Sequence, residues 1–216
     1  MGEPLRTGAT DRTTPSRDPR RASYDLAEAH SILAAALIGH VGAVRPDGTP
    51  VVLPVAVAPD RHRVLFHGST GSRLFRDLAS GAPMCLTVTL LDGLVLARSA
   101  FSSSMNYRCL VALGTAEVLA EQDKQDALQL LTEHLAPGRW ESLRPMLAKE
   151  VAATTVLALP LTEFSITTRT GGPDDPDDAE WPIWSGHVPI RAEPGIPVAE
   201  PGSEDRPGPA IPQALQ

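Results

Sequence analysis

Residues 41–73 read "VGAVRPDGTPVVLPVAVAPDRHRVLFHGSTGSR". Three runs rich in valine and leucine, residues 41–45, 51–58 and 63–67, are separated by Pro46-Asp47-Gly48 and by Pro59-Asp60. Proline presets one turn torsion, glycine accepts the left-handed one, and aspartate bonds its own turn, so this punctuation predicts antiparallel hairpins. The third run passes directly into a loop of glycine and serine that opens a short helix, "GSRLFRDLAS", closed by Gly81.

Working outward, "MCLTVTLL" (84–91) alternates Thr87 and Thr89 against Leu86, Val88 and Leu90, the period of a strand with one buried face. Asp92-Gly93 predicts a turn into "LVLARSA" (94–100), and "LVALGTAEVL" (110–119) continues the sheet. Residues 155–159 and 163–168 add two more strands. Helices are fewer. Asp25 and Glu28 form a cap and its reciprocal partner ahead of Leu26, Leu33 and Leu37, "KQDALQLLTEHL" (124–135) is amphipathic, and "RPMLAKEVAAT" (144–154) is a further candidate. About seven or eight strands with so few helices exclude an alternating parallel α/β sheet and predict a mainly β fold, a small antiparallel barrel with helices flanking it.

Length and composition fit one domain. Residues 1–21, rich in Thr, Arg, Gly and Pro, and residues 192–216, dominated by Pro, Gly and acids, lack the large apolar side chains a core needs and are expected to be disordered, leaving residues 22–191 as the folded unit. The formal charge of −7 argues against a nucleic-acid partner. Cys85 and Cys109 sit inside apolar runs as small hydrophobes, which fits a reducing cytoplasm, and no apolar run has the length of a membrane span.

Two constellations carry candidate chemistry. The junction "HGSTGSR" places Gly68 and Gly71, the hydroxyls of Ser69, Thr70 and Ser72, and the forked guanidinium of Arg73 where a helix begins, a combination suited to a phosphate monoester. It lacks the Lys-Ser/Thr ending of a nucleotide P-loop. The plain alternative is a helix capped by Ser69 or Thr70 beside a solvated Arg73. His67 has no second ligand at metal spacing, so no metal site is expected.

The other constellation is "ARSAFSSSMNYR" (97–108), where Arg98, Ser99, Asn106, Tyr107 and Arg108 crowd donors between apolar runs. Burying them unpaired would cost about 1–3 kcal/mol each, so something polar must meet them. Either they form a solvated loop with Arg98 and Arg108 paired to acids, or they read the polar edge of a flat heteroaromatic while "VVLP" supplies apolar surface. "SAFSSSM" lacks the elbow of a serine hydrolase.

The order "RASYD", "GHVGAVRPDGTPVVLPVAV", "LFHGSTGSRLFRDLASGAPMCLTVTLLDGLVLARSAFSSSMNYRCLVALGTAEV", "PGRW" and "WSGHVPI" resembles the pyridoxamine 5'-phosphate oxidase-like family, in particular its nitroimidazole-resistance and flavin-nucleotide-binding branch. The resemblance implies an FMN-binding split β-barrel, a homodimer with two cofactor sites at the subunit interface. By the same resemblance, Ser72 and Arg73 hold the flavin phosphate, Val52, Leu53, Pro54 and Val55 lie along the ring, and His67, Gly68 and Ser69 flank it. Asn106, Tyr107 and Arg108 approach it from the barrel, and Trp184 and Gly186 match an element that reaches the partner's site. Ser102 and Ser103, where relatives commonly carry histidines, become candidates for a substrate pocket. Cys109 stands where relatives carry serine, and Thr168 where lysine is frequent. The implied activity is an FMN-dependent oxidoreductase acting on a small molecule, with nitro-aromatic reduction as the nearest named precedent. The alternatives are a flavin carrier or sensor without turnover, and a haem protein using His67 or another histidine as axial ligand.

Overall fold

The computed structural model describes residues 9–15, 21–210 and 212. The elements run β1 (Ala22–Ser23), α1 (Leu26–Ala34), β2 (Ile38–Val44), β3 (Pro50–Asp60), β4 (Arg63–Ser69), α2 (Arg73–Ala79), β5 (Pro83–Leu96), β6 (Ser104–Thr115), β7 (Glu117–Val118), α3 (Glu121–Leu135), α4 (Ala148–Ala152), β8 (Thr154–Pro160), β9 (Phe164–Arg169) and β10 (Gly186–Pro189). Every strand pairing is antiparallel. The lateral order is β1-β9-β6-β5-β2-β3-β4-β8-β7, with β10 also on β5. Because β7 continues β6 past Ala116, the path from β6 round to β7 returns to its start, and the sheet closes into a barrel.

The alternation along each strand decides what fills it. Val41, Val57, Val64, Phe66, Leu86, Val88, Leu110, Ala112, Phe164 and Ile166 point inward, joined by Ile32 and Leu33 of α1 and by Leu74, Phe75 and Leu78 of α2. A second, smaller cluster lies on the other face of β4 and β8, where Leu65, Val156 and Ala158 pack under Ala127, Leu128 and Leu131 of α3. Full burial of one such leucine or phenylalanine stabilises the fold by about 1.5–3 kcal/mol.

Local signals hold at several ends and fail at others. Asp25 caps α1, its Oδ1 accepting the N–H groups of Ala27 at 2.7 Å and Glu28 at 3.2 Å. Glu28 does not return the bond; it accepts the Thr168 hydroxyl at 3.3 Å. The helix expected over residues 144–154 shrinks to α4, because Pro145 disfavours helical torsions before it and Glu150 ties the start by accepting Leu147 N–H at 2.9 Å.

Asp92-Gly93 is not a turn. β5 runs straight through it with a bulge between Leu91 and Gly93, and the chain reverses only at residues 97–103. The bulge carries an extra residue whose two ends are both claimed: Asp92 carboxylate by Arg108, and Asp92 carbonyl by Ile190 N–H at 3.0 Å. Residues 104–108, expected between strands, begin β6.

Residues 9–15 form a turn whose Thr10 and Arg12 side chains both bond Glu163, a contact that composition gives no reason to expect. Residues 191–210 carry no helix or strand, and residues 197–210 face the end of α3 across a groove of about 1130 Å³. The rest of the two expected tails, residues 1–8, 16–20, 211 and 213–216, lies outside the described residues. Among the described residues no helix is long and apolar enough to cross a membrane.

Candidate functional site

The barrel opens where β3 and β4 part. They pair from Asp60↔Arg63 to Val57↔Phe66 and no further. Beyond that point β3 pairs only with β2, from Ala56 to Pro50, and β4 pairs only with β8, through His67↔Val156, Gly68↔Thr155 and Ser69↔Thr154. Each strand therefore has one free edge along the gap. Pro54, which has no N–H to offer a further strand, fits such an edge. Val52 is 63 % exposed, and Leu53 and Pro54 beside it are exposed too, so this half of β3 presents an apolar surface without a cover.

The opposite wall is the β4 end and the loop into α2. His67 is half-buried, its Nδ1 is enclosed, and the ring has no hydrogen-bond partner among the described residues. Burial pushes its pKa down, which favours the neutral imidazole with a free lone pair. Gly68 lies against Phe75, leaving no room for a side chain.

In the loop, Ser69 Oγ accepts Gly71 N–H at 3.1 Å, and Thr70 N–H bonds Ala153 carbonyl at 3.0 Å. Neither residue caps α2. The cap position belongs to Ser72, in extended conformation, and its hydroxyl makes no capping bond. Arg73 is exposed and makes no hydrogen bond or ion pair among the described residues. Its charge reaches Asp47 in the β2–β3 turn, whose carboxyl is held low mainly by hydrogen bonds from Thr49. The neighbouring Arg76 turns back to Gly71 carbonyl at 3.2 Å. Among the described residues, His67, Thr70, Ser72 and Arg73 are thus the polar groups left open at this gap, with Val52, Leu53 and Pro54 across from them; Val55, expected beside the ring, is only 8 % exposed and turns into the core.

The donor cluster on β6 is elsewhere and is not open. β5 and β2 lie between β6 and β3, which puts the two groups three strand spacings apart, about 14 Å along the sheet. Arg108 grips Asp92 with two hydrogen bonds, 2.9 Å from Nε and 2.7 Å from Nη2, and the pair holds the Arg108 pKa up. Asn106, only 6 % exposed, donates to Gly171 carbonyl at 3.0 Å and accepts from Arg169 Nη1 at 2.7 Å. Arg98 binds Asp175. The polar groups that meet this cluster are supplied by the chain itself, except at Arg98 Nε, which is enclosed without a partner; of the three β6 candidates, Tyr107 keeps a side chain with no hydrogen bond among the described residues.

Ser102 and Ser103 sit in the loop between β5 and β6, where Ser103 Oγ accepts Ala97 N–H at 3.1 Å and donates to Ser99 carbonyl at 2.9 Å. Ser99 Oγ in turn accepts Ser102 N–H at 3.2 Å, so these serines stitch the loop. Trp184, 64 % exposed, packs one edge on Gly186. Sequence reasoning missed Asp92, Asp175 and Arg169, whose partners lie far along the chain. The only local signal was the wealth of unpaired donors in residues 97–108.

A family model described as pyridoxamine 5'-phosphate oxidase matches residues 25–168. The chain belongs to this family. Within the pyridoxamine 5'-phosphate oxidase family, it is 39 % identical to the flavocytochrome Anf3 from Azotobacter vinelandii, with 97 % of each chain covered and a TM-score of 0.87. It is 37 % identical to the FAD and heme binding protein from Mycobacterium smegmatis, over 90 % of this chain and 95 % of that one, with a TM-score of 0.83. A candidate 5-nitroimidazole antibiotic resistance protein from Bacteroides thetaiotaomicron is 20 % identical over 67 % of this chain and 84 % of its own, with a TM-score of 0.57, and shares the fold alone. No curated protein matches the chain. The split β-barrel expected from the sequence is thus the fold of the chain.

Proposed function

We propose that this chain is a redox protein that binds a flavin and a haem together, as a homodimer in which each cofactor site draws on both subunits. The observation that carries the reading is the full-length likeness to a flavocytochrome and to a protein binding FAD and heme, combined with a gap whose open polar groups suit both cofactors. For the flavin phosphate, Arg73 offers an unpaired guanidinium and Ser72 an unused hydroxyl. For the haem iron, His67 offers an imidazole kept neutral by burial and free of any competing hydrogen bond. Flavin and haem, set apart as alternatives by the sequence, become companions. FMN is the flavin that the sequence resemblance implies; FAD is the one named for the mycobacterial relative.

The dimer reading rests on a mismatch within one chain. Val52–Pro54 and His67–Arg73 line the gap, whereas Tyr107 and Trp184 sit far from it, so one flat ligand touches all of them only if a second subunit brings the latter pair. Exposed Val52, Leu53, Leu91 and Met105 would be covered by that subunit. A flavin supplies two-electron chemistry and a haem one-electron chemistry. The chain's own residues bind, orient and shield: Arg73 fixes the phosphate end, the apolar β3 edge excludes water from the ring, and His67 holds the iron. The free cysteines fit a reducing cytoplasm.

The absorption spectrum of the purified protein tests the cofactor content, with a flavin band and a Soret band both expected, and a protein carrying neither would end the reading. The mass of the released flavin tells FMN from FAD. Oxidation of a reduced nicotinamide with small acceptors separates an oxidoreductase from a carrier or sensor, which shows no turnover.

Arg73→Ala is expected to weaken flavin-nucleotide binding by about 1.5–3 kcal/mol, the range of charge-assisted hydrogen bonds, with the fold unchanged because the side chain is exposed. Riboflavin, without the phosphate, should bind wild type and variant alike. Titrations that show the same loss for both ligands would remove Arg73 from the phosphate.

A further inference from the structure

Between β9 and β10 the chain crosses the end of the barrel without entering the sheet. Residues 170–185 contain only a single 3₁₀ turn, Pro176–Asp178, and most of their side chains are exposed. The Asp175 side chain, by contrast, is only 6 % exposed. Its Oδ2 accepts Arg98 N–H at 2.8 Å and the Ser185 hydroxyl at 3.3 Å, and its Oδ1 accepts Arg98 Nη1 at 3.1 Å. One carboxylate thereby joins three pieces of chain: the end of β5, the middle of the crossing segment, and the residue before β10.

The two ends of the segment differ in kind. At its start, Gly171 has φ +94, a conformation that favours glycine, and a Cβ on Gly172 would meet nothing. This end is held by side chains acting on main-chain carbonyls, Asn106 on Gly171 and Arg169 on Gly172. At its far end β10 adds to the β5 edge through Gly186↔Leu96 to Pro189↔Gly93, and it fits closely only because residue 93 is glycine, whose Cβ would lie 2.8 Å from Val188 carbonyl. A four-residue strand on an edge has little pairing of its own to hold it.

We propose that residues 171–190 form a strap that opens and closes as a unit, hinged at Gly171-Gly172 and latched by Asp175 on the main-chain N–H and Nη1 of Arg98. The donor cluster of residues 97–108 is then the seat of this strap. Opening removes β10 from β5, uncovers the Arg98 N–H and guanidinium, and carries Trp181 and Trp184 away from the barrel. The proposal is independent of which cofactor the protein holds.

Hydrogen exchange of the full-length protein, followed peptide by peptide, tests it with Asp175→Asn and Asp175→Ala. Loss of a carboxylate that takes three hydrogen bonds is expected to raise exchange in residues 171–190 by about tenfold or more, while β4 and β8 exchange as in wild type. Ser185→Ala should act in the same direction and more weakly, since it removes only the longest of the three bonds. Unchanged exchange across residues 171–190 in both Asp175 variants would overturn the latch. A rise shared equally by β4 and β8 would overturn the unit, since it would show Asp175 supporting the whole barrel and no separate strap.

Discussion

Gly68→Ala is expected to cost about 1–3 kcal/mol of stability, although it adds a single methyl group. A Cβ at this position would lie 2.4 Å from Cε2 and 2.5 Å from Cζ of Phe75. The ring cannot step aside cheaply. Phe75 is buried in the main core, and its ring meets that of Phe66 at a tilted 59° with centroids 6.0 Å apart. Either Phe75 leaves its rotamer or α2 moves outward, and α2 carries Arg73 at its first position. The variant should therefore lose denaturant midpoint and flavin retention together. A double-mutant cycle with Phe75→Leu separates this cause from others: the smaller side chain should recover part of the loss, giving a coupling energy above about 0.5 kcal/mol. Strict additivity of the two substitutions would show that the contact is not what makes glycine necessary. Glycine is here a packing requirement first, and only through α2 a feature of the candidate site.

His67→Ala is expected to lower the haem content of the purified protein at least tenfold, or to move the Soret band of whatever haem remains, with the flavin retained. His67 stands on the β4 wall of the gap, and its Nδ1 is enclosed with no partner among the described residues, whereas His40, opposite Pro54 on β2, is exposed. A buried polar atom left unpaired costs about 1–3 kcal/mol, so an apolar replacement at this site should not unfold the barrel and could stabilise the empty protein. His134 offers a contrast, since its Nε2 is engaged with Ala36 carbonyl at 2.7 Å and it serves to join α3 to α1. A purified His67→Ala variant with unaltered haem stoichiometry and an unaltered Soret band would place the iron elsewhere. Thermal melting of the cofactor-free variant beside cofactor-free wild type checks that the difference arises from the ligand and not from the fold.

Much of this architecture is local and was legible along the chain. Asp25 announces α1 through a bond to N–H groups two and three residues on, Pro46-Asp47-Gly48 bends β2 into β3, and Leu86, Val88 and Thr87 declare their faces by alternation. Such signals need only neighbours. The strand-loop-helix at His67–Arg73 was legible for the same reason, with its open guanidinium read from residue types alone. What the sequence by itself determined, then, is most of the strand segments, the faces of those with clear alternation, and one wall of the candidate site.

Tertiary structure decided the rest. Asp92-Gly93 has the composition of a turn, and it became a bulge because Arg108, on the neighbouring strand, and Ile190, from the far end of the chain, both bind residue 92. Asn106 and Arg98 have the composition of a ligand-reading cluster, and they became the seat of residues 171–185 because their partners stand 65 and 77 residues away. Donors reveal that a partner must exist and not where it lies, since the free energy of an unpaired buried group is the same whether chain or ligand relieves it. Only the pairing of β9 with β6 and of β10 with β5, which brings the β9–β10 crossing against the ends of β5 and β6, chose the chain.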